Sequence, residues 1–210
     1  KGKMIEACQC GKFEIVKLLL ERTDPKLNTT DNQGGTALMW ACYNGHKEVV
    51  QLLLNYSDQN IELNTRNTSG QTAFMLACYN GHKDVVQLLL NCSDINIELN
   101  TRDIQGSTAL MLTCTNGNKD IVKLLLNQNI DLNTTDNEGR TVLMWACRWG
   151  HKDIVELLLN CSNQNIDINA RSNNGYTGFL WACYYGHKDI VQLLMNCSDK
   201  NIELNTRGYD

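Results

Sequence analysis

Apolar positions fall in paired blocks along this chain. In DNQGGTALMWACYNGHKEVVQLLLN, Ala37, Leu38, Ala41 and Cys42 stand at i, i+1, i+4 and i+5, which is one face of a short helix. Thr36 sits just before them, where a hydroxyl can accept orphan helix N–H groups and stabilise by about 1 kcal/mol. Gly45 then ends the segment, because the left-handed residue that closes a helix is easiest for glycine. A second helix follows, with Val49, Val50, Leu53 and Leu54 on one face. Before the pair, Asp31, Asn32 and Gly34 form a tight-turn composition. After it, an Asn-Ile-acid-Leu-Asn stretch carries the chain back to the next turn, with Asn60 placed where a positive φ is expected.

The same pattern returns. Residues 41–66 and 77–102 differ only at Glu48/Asp84, Tyr56/Cys92 and Gln59/Ile95. The capping threonine recurs as Thr36, Thr72, Thr108, Thr141 and Thr177, at intervals of 36, 36, 33 and 36 residues. A partial copy opens the chain, so the units run about 1–30, 31–66, 67–102, 103–135, 136–171 and 172–207 within a single domain, 1–210. A period of this size predicts a solenoid, in which each unit buries its apolar face only against its neighbours.

The consensus G-x-T-A-L-M/W-x-A-C-x-x-G-H-K-D/E-I/V-V-x-L-L-L resembles the ankyrin repeat, with its T-P-L-H-x-A signature, across essentially the whole chain. The crowded TALMWA…GHKDIVQLLL style looks most like ankyrin proteins of giant amoebal viruses or intracellular microbes. The resemblance implies an all-α ankyrin-repeat solenoid with β-turn fingers and about six stacked repeats. Departures predict a softer array than consensus repeats give. The family's proline is replaced by Ala37, Ala73, Ala109, Val142 and Gly178, and the last costs about 1 kcal/mol against Ala. The family's histidine is replaced by Met39, Met75, Met111, Met144 and Leu180. The extra three residues of the 36-residue copies predict a longer second helix or an added tight turn. Both ends look cut, which suggests a segment of a longer protein.

Composition narrows function. A net charge of −4 argues against a chain devoted to nucleic acid, and no apolar run approaches the ~20 residues of a membrane span. Six of the ten cysteines (Cys8, Cys42, Cys78, Cys114, Cys147 and Cys183) share one repeat column. Column mates in stacked repeats lie about 8–10 Å apart, too far for a disulfide, so these cysteines are expected as small buried hydrophobes in a reducing, intracellular, cytoplasmic setting (a host cytoplasm for a viral or microbial protein). Column spacing also argues against a metal site at His46, His82, His151 and His187; each is expected to bond to its neighbour's turn. With no signal peptide, the seven Asn-x-Ser/Thr sequons are not expected to be glycosylated. No phosphate loop, CxxC…CxxC pair or HExxH occurs, so no catalytic residue, metal or cofactor is expected.

What varies between copies is the surface. In ankyrin proteins partners dock on the turn tips and the exposed side of the first helices, the concave face. Carried over by position, that face holds Tyr43, Arg66, Tyr79, Arg102, Arg140, Arg148, Trp149, Tyr176, Tyr184 and Tyr185, residue types enriched at interface hot spots. Trp40, Trp145 and Trp181 either line the groove floor or fill between helices. The expected function is non-enzymatic binding of a protein or peptide partner by a monomer. The rivals are a targeting or spacer segment of a larger protein, and nucleic-acid binding through the arginine row with tyrosine stacking.

Overall fold

A computed structural model describes residues 2–22, 25–56, 61–92, 96–161, 165–197, 201–204 and 208. Among them are twelve helices and no strands. The first helices of the six pairs are α1 (Lys3–Gln9), α3 (Ala37–Tyr43), α5 (Ala73–Tyr79), α7 (Ala109–Thr115), α9 (Val142–Trp149) and α11 (Gly178–Tyr184). Their partners are α2 (Phe13–Arg22), α4 (Lys47–Leu54), α6 (Lys83–Leu90), α8 (Lys119–Leu126), α10 (Lys152–Leu159) and α12 (Lys188–Met195). The chain divides into two compact units, Lys1–Ile104 and Gln105–Asp210.

Each unit has the same two-layer build. In the first, α1, α3 and α5 pack side by side, and α2, α4 and α6 form a second row beneath them. In the second, α7, α9 and α11 form one row and α8, α10 and α12 the other. The cores come largely from the predicted faces: Ala37, Leu38, Ala41 and Cys42 of α3 are buried with Val49, Val50 and Leu53 of α4, while Leu54 is only half-buried and Met39, outside the predicted face, joins the core. Where the resemblance implied a histidine, Met39, Met75, Met111 and Met144 are each no more than 2% exposed and fill the core instead. Ile61, Leu63, Ile130, Leu132, Ile166 and Ile168 of the return stretches are buried as well.

The helix ends follow the sequence. Each of Thr36, Thr72, Thr108, Thr141 and Thr177 accepts a hydrogen bond from the backbone N–H three residues on, at 3.2–3.4 Å. The capping hydroxyl thus satisfies a donor that helix geometry leaves open. Gly45 has φ 72°, and a Cβ there would collide with the His82 ring, so the left-handed turn and the neighbour's imidazole both require glycine. The buried Thr113 donates to the Ala109 carbonyl at 2.8 Å, so its hydroxyl is satisfied inside the core. A Cβ on Gly178 would lie 3.2 Å from Cys147 Sγ, so the glycine that helix propensity disfavours lets α11 approach α9 closely.

Two sets of bonds tie neighbouring repeats within a unit. Fingertips are linked by Thr68 N–H to the Gln33 carbonyl and Ile104 N–H to that of Ser69 in the first unit, and by Asn137 N–H to Gln105 and Asn173 N–H to Glu138 in the second. On the return stretches, asparagine side chains clamp the next copy. Asn64 Oδ1 accepts from Glu98 N–H at 3.1 Å while its Nδ2 donates to the Asn96 carbonyl at 2.9 Å. Asn133 and Asn169 repeat both bonds with residues 165–167 and 201–203.

One sequence expectation is narrowed and another corrected. Every second helix from α4 to α12 has eight residues, in long and short copies alike, so of the two alternatives for the insertion the longer helix is excluded. Asn60 and most of the inserted positions lie outside the described residues. The cysteine column is buried at Cys8, Cys42, Cys78, Cys114 and Cys147 but exposed at Cys183, where no further first helix among the described residues packs on the far side of α11. Burial pushes the Cys8 and Cys114 thiols from 9.0 up to about 12, and Cys42 and Cys147 higher still. The stability from keeping Cys8 and Cys114 neutral is fully present below pH 9.0 and is lost as pH rises toward about 12, since only the unfolded chain ionises them in that window. Accordingly, a thiol reagent at pH 8 is expected to label Cys10 and Cys183 first and to reach Cys42, Cys114 and Cys147 only after denaturation. Peptide mapping of labelled cysteines checks this, and labelling of Cys42 in the folded chain would contradict it.

Candidate functional site

The exposed side of the first helices and the fingertips above it carry the ten residues singled out in the sequence. In the first unit, Tyr43 and Tyr79 end α3 and α5 and are about two-fifths exposed, at 41% and 39%. The Trp40 ring meets Tyr43 edge-on at 5.7 Å. Beside them a groove of about 230 Å³ is lined by Gln33, Trp40, Tyr43, Ser69, Gln71 and Leu76. Arg66 is engaged within the chain. Its Nε donates to the Gly70 carbonyl at 2.9 Å and its Nη2 to the Arg102 carbonyl at 2.6 Å, which ties one finger to the next. The Arg102 side chain is exposed.

In the second unit the finger chemistry decides which arginine is available. Asp136 begins its finger. Its Oδ1 accepts from Glu138 and Arg140 N–H at 2.9 and 2.8 Å, and its Oδ2 accepts from Arg140 Nε at 2.7 Å and Trp145 Nε1 at 3.0 Å. Arg140 also reaches Glu138 at 2.9 Å and lies 5.0 Å over the Trp145 ring, so its charge is already paired. In the first unit Asp31 Oδ2 likewise accepts from Trp40 Nε1 at 2.8 Å. Trp40 and Trp145 are therefore packing residues anchored to their own turns; Trp145 and Trp181 are each 8% exposed and Trp40 is half-buried.

The sixth repeat differs. Ser172 stands where Asp31 and Asp136 stand, nine residues before the tryptophan. Its hydroxyl is occupied with Asn174 and the Tyr176 backbone, and Trp181 Nε1 has no acceptor among the described residues. The Tyr176 ring lies 4.9 Å from that of Trp181, and Tyr185 stacks on Trp181 at 5.9 Å with 16° between planes. Tyr184 meets Tyr185 edge-on at 5.1 Å. Arg148, from α9, places its guanidinium 5.0 Å over Trp181, 5.5 Å over Tyr185 and 5.9 Å over Trp149. No carboxylate among the described residues forms an ion pair with it. Its carbonyl is held by His187 Nε2 at 2.9 Å, which fixes the backbone of the Arg148 turn. Sequence reading placed these aromatics on one face but missed the Asp-to-Ser change. The nine-residue spacing to tryptophan carried that signal.

The histidines have structural partners. Nε2 of His46, His82 and His151 lies 3.1, 2.9 and 3.3 Å from the carbonyls of Gln9, Tyr43 and Thr115, so each ring carries its proton on Nε2 and bonds the preceding repeat's turn. Among the described residues no group of three His, Cys, Asp or Glu could hold a metal ion. The buried thiols, held neutral well above neutral pH, are poor nucleophiles.

A β-turn finger, a threonine-capped short helix, a glycine under a histidine and a second helix, stacked in register, define the ankyrin repeat. Residues 4–103 and 95–172 match the three-copy ankyrin repeats family and residues 174–205 match the single ankyrin repeat, so the chain belongs to the ankyrin-repeat family and its fold is an all-α ankyrin solenoid. A crystal structure of the ankyrin repeat protein EF0377 superposes with a TM-score of 0.81 at 26% identity, covering 92% of this chain and 96% of that one. Among curated proteins, osteoclast-stimulating factor 1 of Monopterus albus is 44% identical over 52 residues, 25% of this chain and 24% of that protein. The Danio rerio form is 46% identical over 60 residues, 29% and 27% of the two chains. The chain thus spans about a quarter of the length of these relatives. Ankyrin repeats are in general protein–protein interaction modules and typically non-enzymatic scaffolds. No described helix is long and apolar enough to cross a membrane.

Proposed function

We propose that this chain is a non-enzymatic scaffold that binds a protein or peptide partner on the fingertips and exposed sides of its first helices. The observation that carries this is the exposure of large aromatic side chains there: Trp149 at 47%, Tyr184 at 69% and Tyr185 at 43% in the second unit, with Tyr43 and Tyr79 in the first. Aromatic surface left in water is what a partner gains most by covering. Tyr43, Tyr184 and Tyr185 are already braced by Trp40, Trp181 and each other, so little of their side-chain freedom remains to be lost on binding. The engagement of Arg66 and Arg140 in intrachain bonds disfavours a phosphate-binding arginine row, and with it the nucleic-acid reading. A cytoplasmic location and a monomeric state fit this reading.

Replacing Trp149, Tyr184 and Tyr185 together by Ala is expected to weaken partner capture at least about tenfold. Quantitative affinity capture from lysate, read by mass spectrometry beside the parent chain, checks this. The melting curve of the variant is measured alongside to show that the repeats remain folded. Partners returning undiminished on a folded variant would overturn the placement of the binding face.

A further inference from the structure

At the sixth repeat two strong donors, Trp181 of α11 and Arg148 of α9, come together without the acid that the second and fifth repeats supply. Trp40 Nε1 donates to Asp31 at 2.8 Å, and Trp145 Nε1 donates to Asp136 at 3.0 Å, the same carboxylate that pairs with Arg140 over the Trp145 ring. At Trp181 the indole remains, 92% buried by its 8% exposure, and a guanidinium again lies 5.0 Å over the ring, now from Arg148. The carboxylate is gone. Ser172 is too short to take its place, and its hydroxyl is turned into its own finger.

A buried indole N–H without an acceptor costs about 1–3 kcal/mol, a cost that an incoming acceptor recovers. A guanidinium held between aromatic faces is pre-organised for a carboxylate, and the contact is stronger where the surroundings exclude water. We infer that Arg148 and Trp181 form a recognition site for an aspartate or glutamate side chain of an acidic partner segment. That carboxylate accepts from the Arg148 guanidinium and, once the Tyr176 ring turns aside from Trp181, from the Trp181 indole N–H, reproducing in trans the arrangement that Asp136 makes in cis. Tyr184 and Tyr185 flank the incoming chain. The inference rests on the proposed binding face and gives its partner a chemistry: side-chain carboxylates on an extended or exposed segment.

The test uses hexaglutamate with acetylated and amidated ends, so that side chains supply the only acids, titrated into the ¹⁵N-labelled chain. The indole N–H resonances of the four tryptophans are read together. The Trp181 resonance is expected to shift, while those of Trp40 and Trp145, already bonded to aspartates, stay in place. Arg148→Gln is expected to raise the Kd about tenfold. Ser172→Asp, which supplies an internal acid, is expected to move the Trp181 resonance toward those of Trp40 and Trp145 and to weaken the peptide to a similar degree. An equal response to blocked hexaglutamine, or to inorganic phosphate at matched concentration, would overturn the carboxylate assignment. Unchanged affinity in Arg148→Gln would do the same. Failure here with the triple-alanine variant still losing its partners leaves the binding face standing without this site. The converse result keeps the site and removes the wider face.

Discussion

Replacing Asp136 by Ala is expected to destabilise the chain by about 3–5 kcal/mol, the range for breaking a buried ion pair from one side. The carboxylate is fully buried and accepts from four donors: two backbone N–H groups of its own finger, Arg140 Nε and Trp145 Nε1. Its loss strands the indole N–H and leaves the Arg140 guanidinium, itself only 11% exposed, with the solvent-exposed Glu138 as its remaining carboxylate partner. Asp31 offers the informative contrast. It makes the same turn bonds and the same indole bond, but Gly35 stands where Arg140 does, so no guanidinium is stranded. Asp31→Ala is expected to cost less, about 1–3 kcal/mol. Urea unfolding followed by circular dichroism measures both. Equal losses at the two positions would show that the ion pair adds nothing to the turn.

Truncating Leu89 of α6 to Ala is expected to cost about 2–5 kcal/mol, because a side chain 1% exposed leaves a cavity that its neighbours fill only partly. Leu18 of α2, 46% exposed, gives the control: its truncation is expected to cost about 1 kcal/mol or less. Where repeats of one compact unit lean on each other, the Leu89 defect also weakens the adjoining repeat interface, so the unfolding transition should broaden as well as shift. A sharp transition with an unchanged midpoint would contradict the packing of the second-helix row.

What the sequence revealed follows from range. Thr36, Gly45 and their column mates act within a few residues of themselves, and His82 lies beside the turn that its repeat stacks on, so local pattern and period were sufficient. The Arg66–Arg102 bond was not legible, since its acceptor is a backbone carbonyl 36 residues away and every residue carries one. The asparagine clamps escaped for the same reason: Asn64 and Asn133 read only as the end of the return stretch, and their amides act on backbone of the following copy. At the proposed binding face, residue type showed which side chains were aromatic or cationic. Only coordinates separate Arg140, paired and nearly buried, from Arg148, raised over three rings. The Asp-to-Ser change at Ser172 was visible in principle, but its meaning depends on knowing that the aspartate's partner is an indole.

The clamps of Asn64, Asn133 and Asn169 bear on how the protein ages. Each uses a side-chain amide as donor and acceptor at once, with no formal charge, so added electrolyte does not screen these links between copies. Hydrolytic deamidation is their weakness. Conversion to aspartate trades the donating nitrogen for an oxygen that faces a carbonyl, and an attractive rung becomes a repulsive one. Prolonged storage or heating would therefore loosen such an array one link at a time, well before any peptide bond is cut.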